Sequence, residues 1–132
     1  MRLKDSFFYI ESHDGNELPG KYGIRLNAAH AIFKGHFPGN PIVPGVCQIQ
    51  MVTEILEEHF KKPLFLRQVA NIKFLAVLKP NETERLSVIF KKVQETGDTL
   101  QVSVMLSNET QQFSKIKLVY GYERVRWTPK AK

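Results

Sequence analysis

A single cysteine, Cys47, is all the chain holds, so no internal disulfide can brace the fold. At 132 residues the chain is long enough to bury a core without one. Long apolar runs are missing too. Stretches such as Phe74 to Leu78 fall far short of the roughly 20 residues that cross a bilayer, and the opening decade offers only Phe7 to Ile10, too short for a signal peptide. A reduced, cytoplasmic setting without membrane contact is therefore expected. Glycine and proline are sparse, at eight and seven residues, which excludes collagen-like and low-complexity chains. With no repeat and no linker, one domain is expected over residues 1–132, its core about 6–125, followed by a frayed basic tail from Thr128 to Lys132.

Acidic residues are in deficit. Nineteen Lys and Arg against thirteen Asp and Glu leave a net charge of +6, which steers the surface towards acidic partners. Nucleic acid is not the expected partner. The basic clusters (Lys61-Lys62, Lys91-Lys92, Lys115 with Lys117, Arg124 with Arg126) carry no helix-turn-helix, zinc or aromatic RNA-binding signature.

What is present reads as strands around one helix. Ser6 to Ser12 is strand-like and closes on the turn residues His13-Asp14-Gly15-Asn16. Lys21 to Phe33 alternates, with Ile24, Leu26 and Ala28 on one face. Gly35 and Gly39 with the three prolines Pro38, Pro41 and Pro44 then enforce a shaped loop ahead of Gly45. From Val46 to about Phe60 the apolar period becomes helical, through Val46, Ile49, Leu56 and Phe60, and Pro63 ends the run. Beyond it lie the mainly apolar Leu64 to Leu78 and three alternating segments, Glu84 to Val93, Thr99 to Leu106 and Gln111 to Val125. Turn residues at Pro80-Asn81, Thr96-Gly97-Asp98 and Ser107-Asn108 suggest that consecutive strands pair as antiparallel hairpins. This pattern predicts an α+β fold, a curved antiparallel sheet wrapped around one long central helix.

The run Gly35-His36-Phe37-Pro38-Gly39-Asn40-Pro41-Ile42-Val43-Pro44-Gly45-Val46 resembles the signature of the 3-hydroxyacyl-(acyl-carrier-protein) dehydratases: G-H-F-P, two variable residues, P, two variable residues, then P-G at a helix start. Asn71-Ile72-Lys73-Phe74 and Leu78-Lys79-Pro80-Asn81-Glu82 extend the likeness, with Asn81 where Gly is usual. The resemblance implies a hot-dog fold, paired edge to edge into a dimer with sites at the interface. It further implies His36 as base and Gly45, Val46, Phe37 and Phe74 as substrate-binding residues, with no metal and no cofactor. The chemistry fits the residues. Pro44 pre-sets the first helical turn, Gly45 admits a thioester carbonyl to the exposed N–H groups, and the helix dipole favours the enolate that forms when an α-proton leaves. A neutral imidazole is a suitable base near pH 7. His13, His30 and His59 read as structural, and Cys47 as either a packing residue or a helix-activated thiolate.

The pattern breaks at one position. The family has a carboxylic acid fourteen residues after the histidine, and here that residue is Gln50, with Glu54 one turn later where Gln is frequent. An amide has no proton to give, and general acid catalysis contributes about two to four orders of magnitude. Either Gln50 with water or Glu54 would supply the proton. Glu54, about 6 Å further along the axis, also reads as a surface or interface carboxylate near Lys or Arg.

Three functions follow: a dehydratase-like hydro-lyase on 3-hydroxyacyl thioesters of acyl-carrier protein or coenzyme A in fatty-acid or related biosynthesis; a non-catalytic acyl-binding subunit paired with an active paralogue; or a hot-dog thioesterase. Phe33, Ile49, Phe74 and Val77 are candidates for the wall of an acyl tunnel. A homodimer or dimer of dimers is expected, possibly with a paralogous subunit, and an acidic carrier is expected to dock near Arg67, Lys73 or Lys79.

Overall fold

The computed structural model describes residues 2–35 and 38–124. Six strands, β1 (Phe8–Asp14), β2 (Gly20–Leu26), β3 (Phe65–Phe74), β4 (Arg85–Thr96), β5 (Thr99–Ser107) and β6 (Gln112–Gly121), form one sheet in the order β1-β2-β4-β5-β6-β3. Every neighbouring pair is antiparallel. The long helix is α2 (Gly45–Phe60), preceded by the four-residue α1 (Ile32–Gly35). The fold class is α+β, as the pattern implies.

Period-two alternation decides which face of the sheet is covered. Leu86, Val88 and Phe90 of β4, Leu100, Val102, Val104 and Leu106 of β5, and Ile116, Leu118 and Tyr120 of β6 are all buried. They join Cys47, Met51, Val52, Ile55 and Leu56 from one stripe of α2 in a single continuous core. Burying each such side chain is worth about 1.5–3 kcal/mol. Register shifts at Ile10/Ser12, Leu66/Gln68, Val69/Asn71 and Phe90/Lys92 bend the strands, which lets the sheet curve about the helix.

Several boundaries differ from the sequence pattern. The second strand stops at Leu26, because the Asn27 side chain turns the chain: its Oδ1 accepts from Ala29 N at 3.0 Å and its Nδ2 donates to Ser6 O at 2.8 Å. Residues 32–35 are α1 rather than strand. The helix α2 closes on Lys61 at φ 56°, ahead of Pro63, and Glu57 Oε2 accepts from Leu64 N at 2.9 Å as the chain leaves it. Hairpins join β1–β2, β4–β5 and β5–β6, but β3 does not pair with β4. It crosses to the far side of the sheet and pairs with β6. Val125 and the tail from Thr128 to Lys132 lie outside the described residues.

Near the C-terminal end of α2, His59 accepts or shares a hydrogen bond with Tyr22 Oη at 3.2 Å, and Tyr22 stacks on His13 with ring centroids 3.9 Å apart. Burial, and then His13 and Lys61, hold His59 below its ordinary value. A histidine that sheds its proton more readily when folded leaves the unfolded chain binding more protons in mild acid. Stability is therefore full above the unfolded value near 6.5 and declines as pH falls through the folded value. Urea midpoints taken at about pH 7.5 and 5.5 should fall for the native chain and change less for His59→Asn.

Candidate active site

The loop into α2 is shaped by proline and by one long-range bond. Gly39 takes φ +80°, and Val43 N donates to Leu78 O at 2.8 Å, pinning the loop to the segment that follows β3. Pro44 stands at the cap with extended angles and has no side chain to cap with, while its carbonyl accepts from both Cys47 N and Gln48 N at 3.0 Å. The N–H groups of Gly45 and Val46 have no acceptor within the helix, so the positive end of the helix dipole emerges there.

Phe74, the last residue of β3, lies directly over this terminus. A Cβ on Gly45 would sit 2.6 Å from Phe74 Cζ, so the ring packs against bare backbone that only glycine presents. Beside them opens a mainly apolar groove of about 560 Å³, lined by Ile42, Val43, Gly45, Gln48, Phe74 and Val77. Phe74 and Val77 are half exposed. The polar part of the lining is a feature the sequence reading missed: buried Gln48, whose Oε1 accepts from Ser114 Oγ at 2.8 Å and whose Nε2 donates to Val43 O at 3.2 Å. Its signal was an amide on the apolar stripe of α2, three and four residues before Met51 and Val52; no spacing rule reaches Ser114.

The other candidates gather elsewhere on α2. Gln50 shares the helix stripe left open by the sheet with the exposed Val46, and it does not line the groove. Its Nε2 donates to Glu54 Oε2 at 2.8 Å. Glu54 is not a surface carboxylate beside Lys or Arg; it is buried, and it is held by the main chain of the N-terminal segment. Leu3 N donates to Glu54 Oε1 at 3.1 Å and Oε2 at 2.8 Å, and Lys4 N donates to Oε1 at 2.7 Å. The Lys4 ammonium goes to Glu58 instead, at 3.6 Å. Two successive N–H groups cradling an anion form a nest, and charge-assisted bonds of this kind offset the cost of burying the carboxylate. The 6 Å rise between positions 50 and 54 is bridged by the side chains themselves.

Within one chain, then, Gly45 is brought to Phe74 and Gln50 to Glu54, as two separate groups. His36 and Phe37 lie outside the described residues. Cys47 is buried, and burial pushes its thiol up, which leaves the packing reading over the thiolate. His30 accepts from Ile32 N at 3.0 Å through Nδ1, at the start of α1. Of the tunnel candidates, Ile49 is partly buried and Phe33 lines a different cavity of about 380 Å³ with Pro38, Gly39, Pro41 and Asn81.

Residues 12–117 match the family model of the ApeI-like proteins, described as ApeI dehydratase. The chain belongs to the ApeI-like dehydratase family. It is similar to the 3-hydroxyacyl-[acyl-carrier-protein] dehydratase FabZ of Latilactobacillus sakei, with 34% identity over 87 residues covering 58% of this chain and 62% of that one. It is also similar to the protein of the same name from Lactiplantibacillus plantarum, with 24% identity over 118 residues, or 84% and 79% of the two chains. The match thus spans just under two thirds of the Latilactobacillus protein's length. Among solved structures, the dehydratase heterocomplex ApeI:P of Xenorhabdus doucetiae shares the hot-dog fold, with a TM-score of 0.64 at 22% identity over 86% of this chain and 96% of that one. In this ApeI-like chain the contact between Phe74 and Gly45 is open to a direct test. The obstructing atom is the far end of a half-exposed ring, so Gly45→Ala should displace the ring while changing unfolding free energy by less than about 1 kcal/mol. Denaturant titration together with the Phe74 ring resonances checks both halves.

Proposed function

We propose that this ApeI-like chain dehydrates 3-hydroxyacyl thioesters presented by an acyl-carrier protein, in fatty-acid or related acyl-chain synthesis in the cytoplasm. The observation that carries the reading is the bare Gly45 terminus of α2 beneath Phe74 at an apolar groove, directly after the His36 loop in the sequence. The terminus suits a thioester oxygen and the groove suits an acyl chain. His36 takes the α-proton; the Gly45 N–H and the helix dipole hold the enolate oxygen; the β-hydroxyl then leaves as water, taking up one proton. The products are the enoyl thioester and water, so the proton lost at Cα balances the proton gained by the leaving oxygen. Gln50 has none to give, so that proton returns from His36 or arrives through water. Coenzyme A thioesters present the same acyl group and the same pantetheine arm.

Assembly follows from the exposed edge. Strand β3 pairs on one side only and leaves Leu66 and Val69 half exposed, while Val46 is uncovered on α2. A second copy, or a paralogue, would cover that edge and bring Gln50 of one subunit towards the groove of the other; the Xenorhabdus doucetiae dehydratase is itself a heterocomplex. The non-catalytic, paired reading rests on the same surface. The thioesterase reading needs a carboxylate free to activate water, and Glu54 is occupied by the N-terminal main chain.

The test is mass detection of water loss from 3-hydroxyacyl carrier substrate. His36→Ala should abolish it. Gln50→Glu sets a second carboxyl group against Glu54 where the amide now lies at 2.8 Å, and two carboxylates so close retain a proton between them. Supplying that proton should raise dehydration by about 1–3 orders of magnitude. An intact rate in His36→Ala would overturn the catalytic reading in favour of acyl binding.

The carrier surface is narrower than charge alone suggested. Arg67 is engaged with Glu123 O at 2.7 Å and Lys79 with Glu82 at 3.7 Å, whereas Lys73 joins Lys91, Lys115 and Lys117 around a concavity of about 280 Å³ that has no carboxylate in its lining. Lys73 and Lys115 are direct cross-strand partners, an arrangement that costs stability unless an anion sits there. Lys73→Glu with Lys115→Glu should lower kcat/KM for carrier-bound substrate by at least about tenfold at low salt and flatten its salt dependence, leaving a free pantetheine thioester unaffected.

A further inference from the structure

Among the residues that line the groove beside Gly45, Gln48 alone has a polar side chain, and it is only 3% exposed. The orientation of its amide is fixed by its partners. A backbone carbonyl can only accept, so the end that meets Val43 O at 3.2 Å must be the NH2, while Oε1 accepts from Ser114 Oγ at 2.8 Å. Both polar atoms of the amide therefore have a partner, but Nε2 carries two hydrogens. Among the described residues no acceptor meets the second one.

The helix decides where that hydrogen stands. A side chain at position 48 leans back towards the start of α2, and the bond to Val43 O draws the amide to a residue two positions ahead of Gly45. The open N–H thus lies at the end of the groove where the first N–H groups of α2 emerge, as one donor more. A saturated chain laid along the groove would cover it without pairing it, and a buried donor left unpaired is costly.

We propose that Gln48 is a specificity-determining residue that donates this N–H to the oxygen on the β-carbon of the acyl chain, so that the groove selects β-oxygenated chains. The inference rests on the proposed function, in which the thioester oxygen lies on the Gly45 N–H. With the carbonyl there, the β-oxygen is the first heteroatom along the chain, and a donor drawn back to the terminus is the one within its reach. Because the amide donates, it serves a hydroxyl and a ketone oxygen alike. It gives up no proton. As the Cβ–O bond breaks, the electron pair goes to oxygen, Gln48 hydrogen-bonds that oxygen while its charge grows, and the proton still comes from His36 or through water. The enoyl product has no β-oxygen, so it is held less tightly than the substrate.

The readouts are the affinities of three hydrolysis-resistant probes, 3-hydroxyoctanoyl-, 3-oxooctanoyl- and octanoyl-pantetheine amide, and the Gln48 side-chain amide signals in ¹⁵N-labelled protein. The native chain should bind both oxygenated probes about tenfold tighter than the octanoyl probe. One Gln48 amide hydrogen should exchange slowly in the free protein, and the other should move downfield with an oxygenated probe but not with octanoyl. Gln48→Met keeps the bulk and removes the donor, so it should bring the three probes to parity. A loosened Val43 loop alone would not change that ratio, because the probes share one chain length and one pantetheine arm. Where the orphaned Ser114 hydroxyl prevents folding, Gln48→Met with Ser114→Ala removes both partners and should show the same parity. Equal binding of the octanoyl and hydroxy probes by the native chain, a hydroxy probe preferred about tenfold over the oxo probe, a second amide hydrogen that ignores the oxygenated probes, or a preference retained in folded Gln48→Met would overturn the role of Gln48 while leaving the dehydratase reading standing. Binding of no probe by the native chain would overturn the functional reading and this one together.

Discussion

One constraint organises the molecule: a single amphipathic helix must satisfy the inner face of a six-stranded sheet. A flat sheet would leave the ends of α2 uncovered, so the strands bend at their register shifts and close on Met51, Val52, Ile55 and Leu56. The opposite stripe of α2 cannot be covered by the same sheet. Val46, Gln50 and Thr53 lie along it. Thr53 is drawn partly back into the scaffold by Tyr120, whose Oη lies 2.8 Å from its Oγ1.

The two polar devices on α2 solve a shared problem by different means. Gln48 is neutral and is satisfied by one serine and one carbonyl, so it costs little to bury. Glu54 is a buried carboxyl group held by main-chain N–H groups rather than by an opposite charge. Removing one partner from such an arrangement is more damaging than removing the whole of it, because the group left behind stays desolvated. The first residues of the chain, which in many folds are dispensable, are here bound into the centre of the molecule: Leu3 is buried in the core while its N–H serves Glu54.

Much of this was legible in the sequence wherever the signal was local. Alternation in Thr99 to Leu106 and helical spacing from Val46 to Phe60 located β5 and α2 to within a residue or so, because burial on one face repeats with the geometry of the element. The proline frame before Gly45 marked the helix terminus, and Gly45 with Phe74 was named from family likeness before their contact was seen. Long-range pairing was not legible. Nothing in Leu64 to Leu78 says that it bypasses β4 to join β6, since edge and centre strands are told apart by their neighbours. The fate of Glu54 was hidden for the same reason: its partners are main-chain groups about fifty positions earlier, and backbone N–H groups have no residue type by which to find them.

The placement of β3 has a consequence for synthesis on the ribosome. Phe74 is carried to Gly45 by a strand whose partner among the described residues, β6, is the last of the six described strands in the sequence. The helix terminus, its loop and the ring that covers it are all translated well before residues 112–121, yet the ring has no sheet to hold it until they emerge. The nascent chain therefore holds the separate parts of the groove without their arrangement, and contacts of such sequence separation close slowly. The groove beside Gly45 is among the final features the described strands complete, so a prematurely terminated product lacking β6 carries the complete motif and no groove.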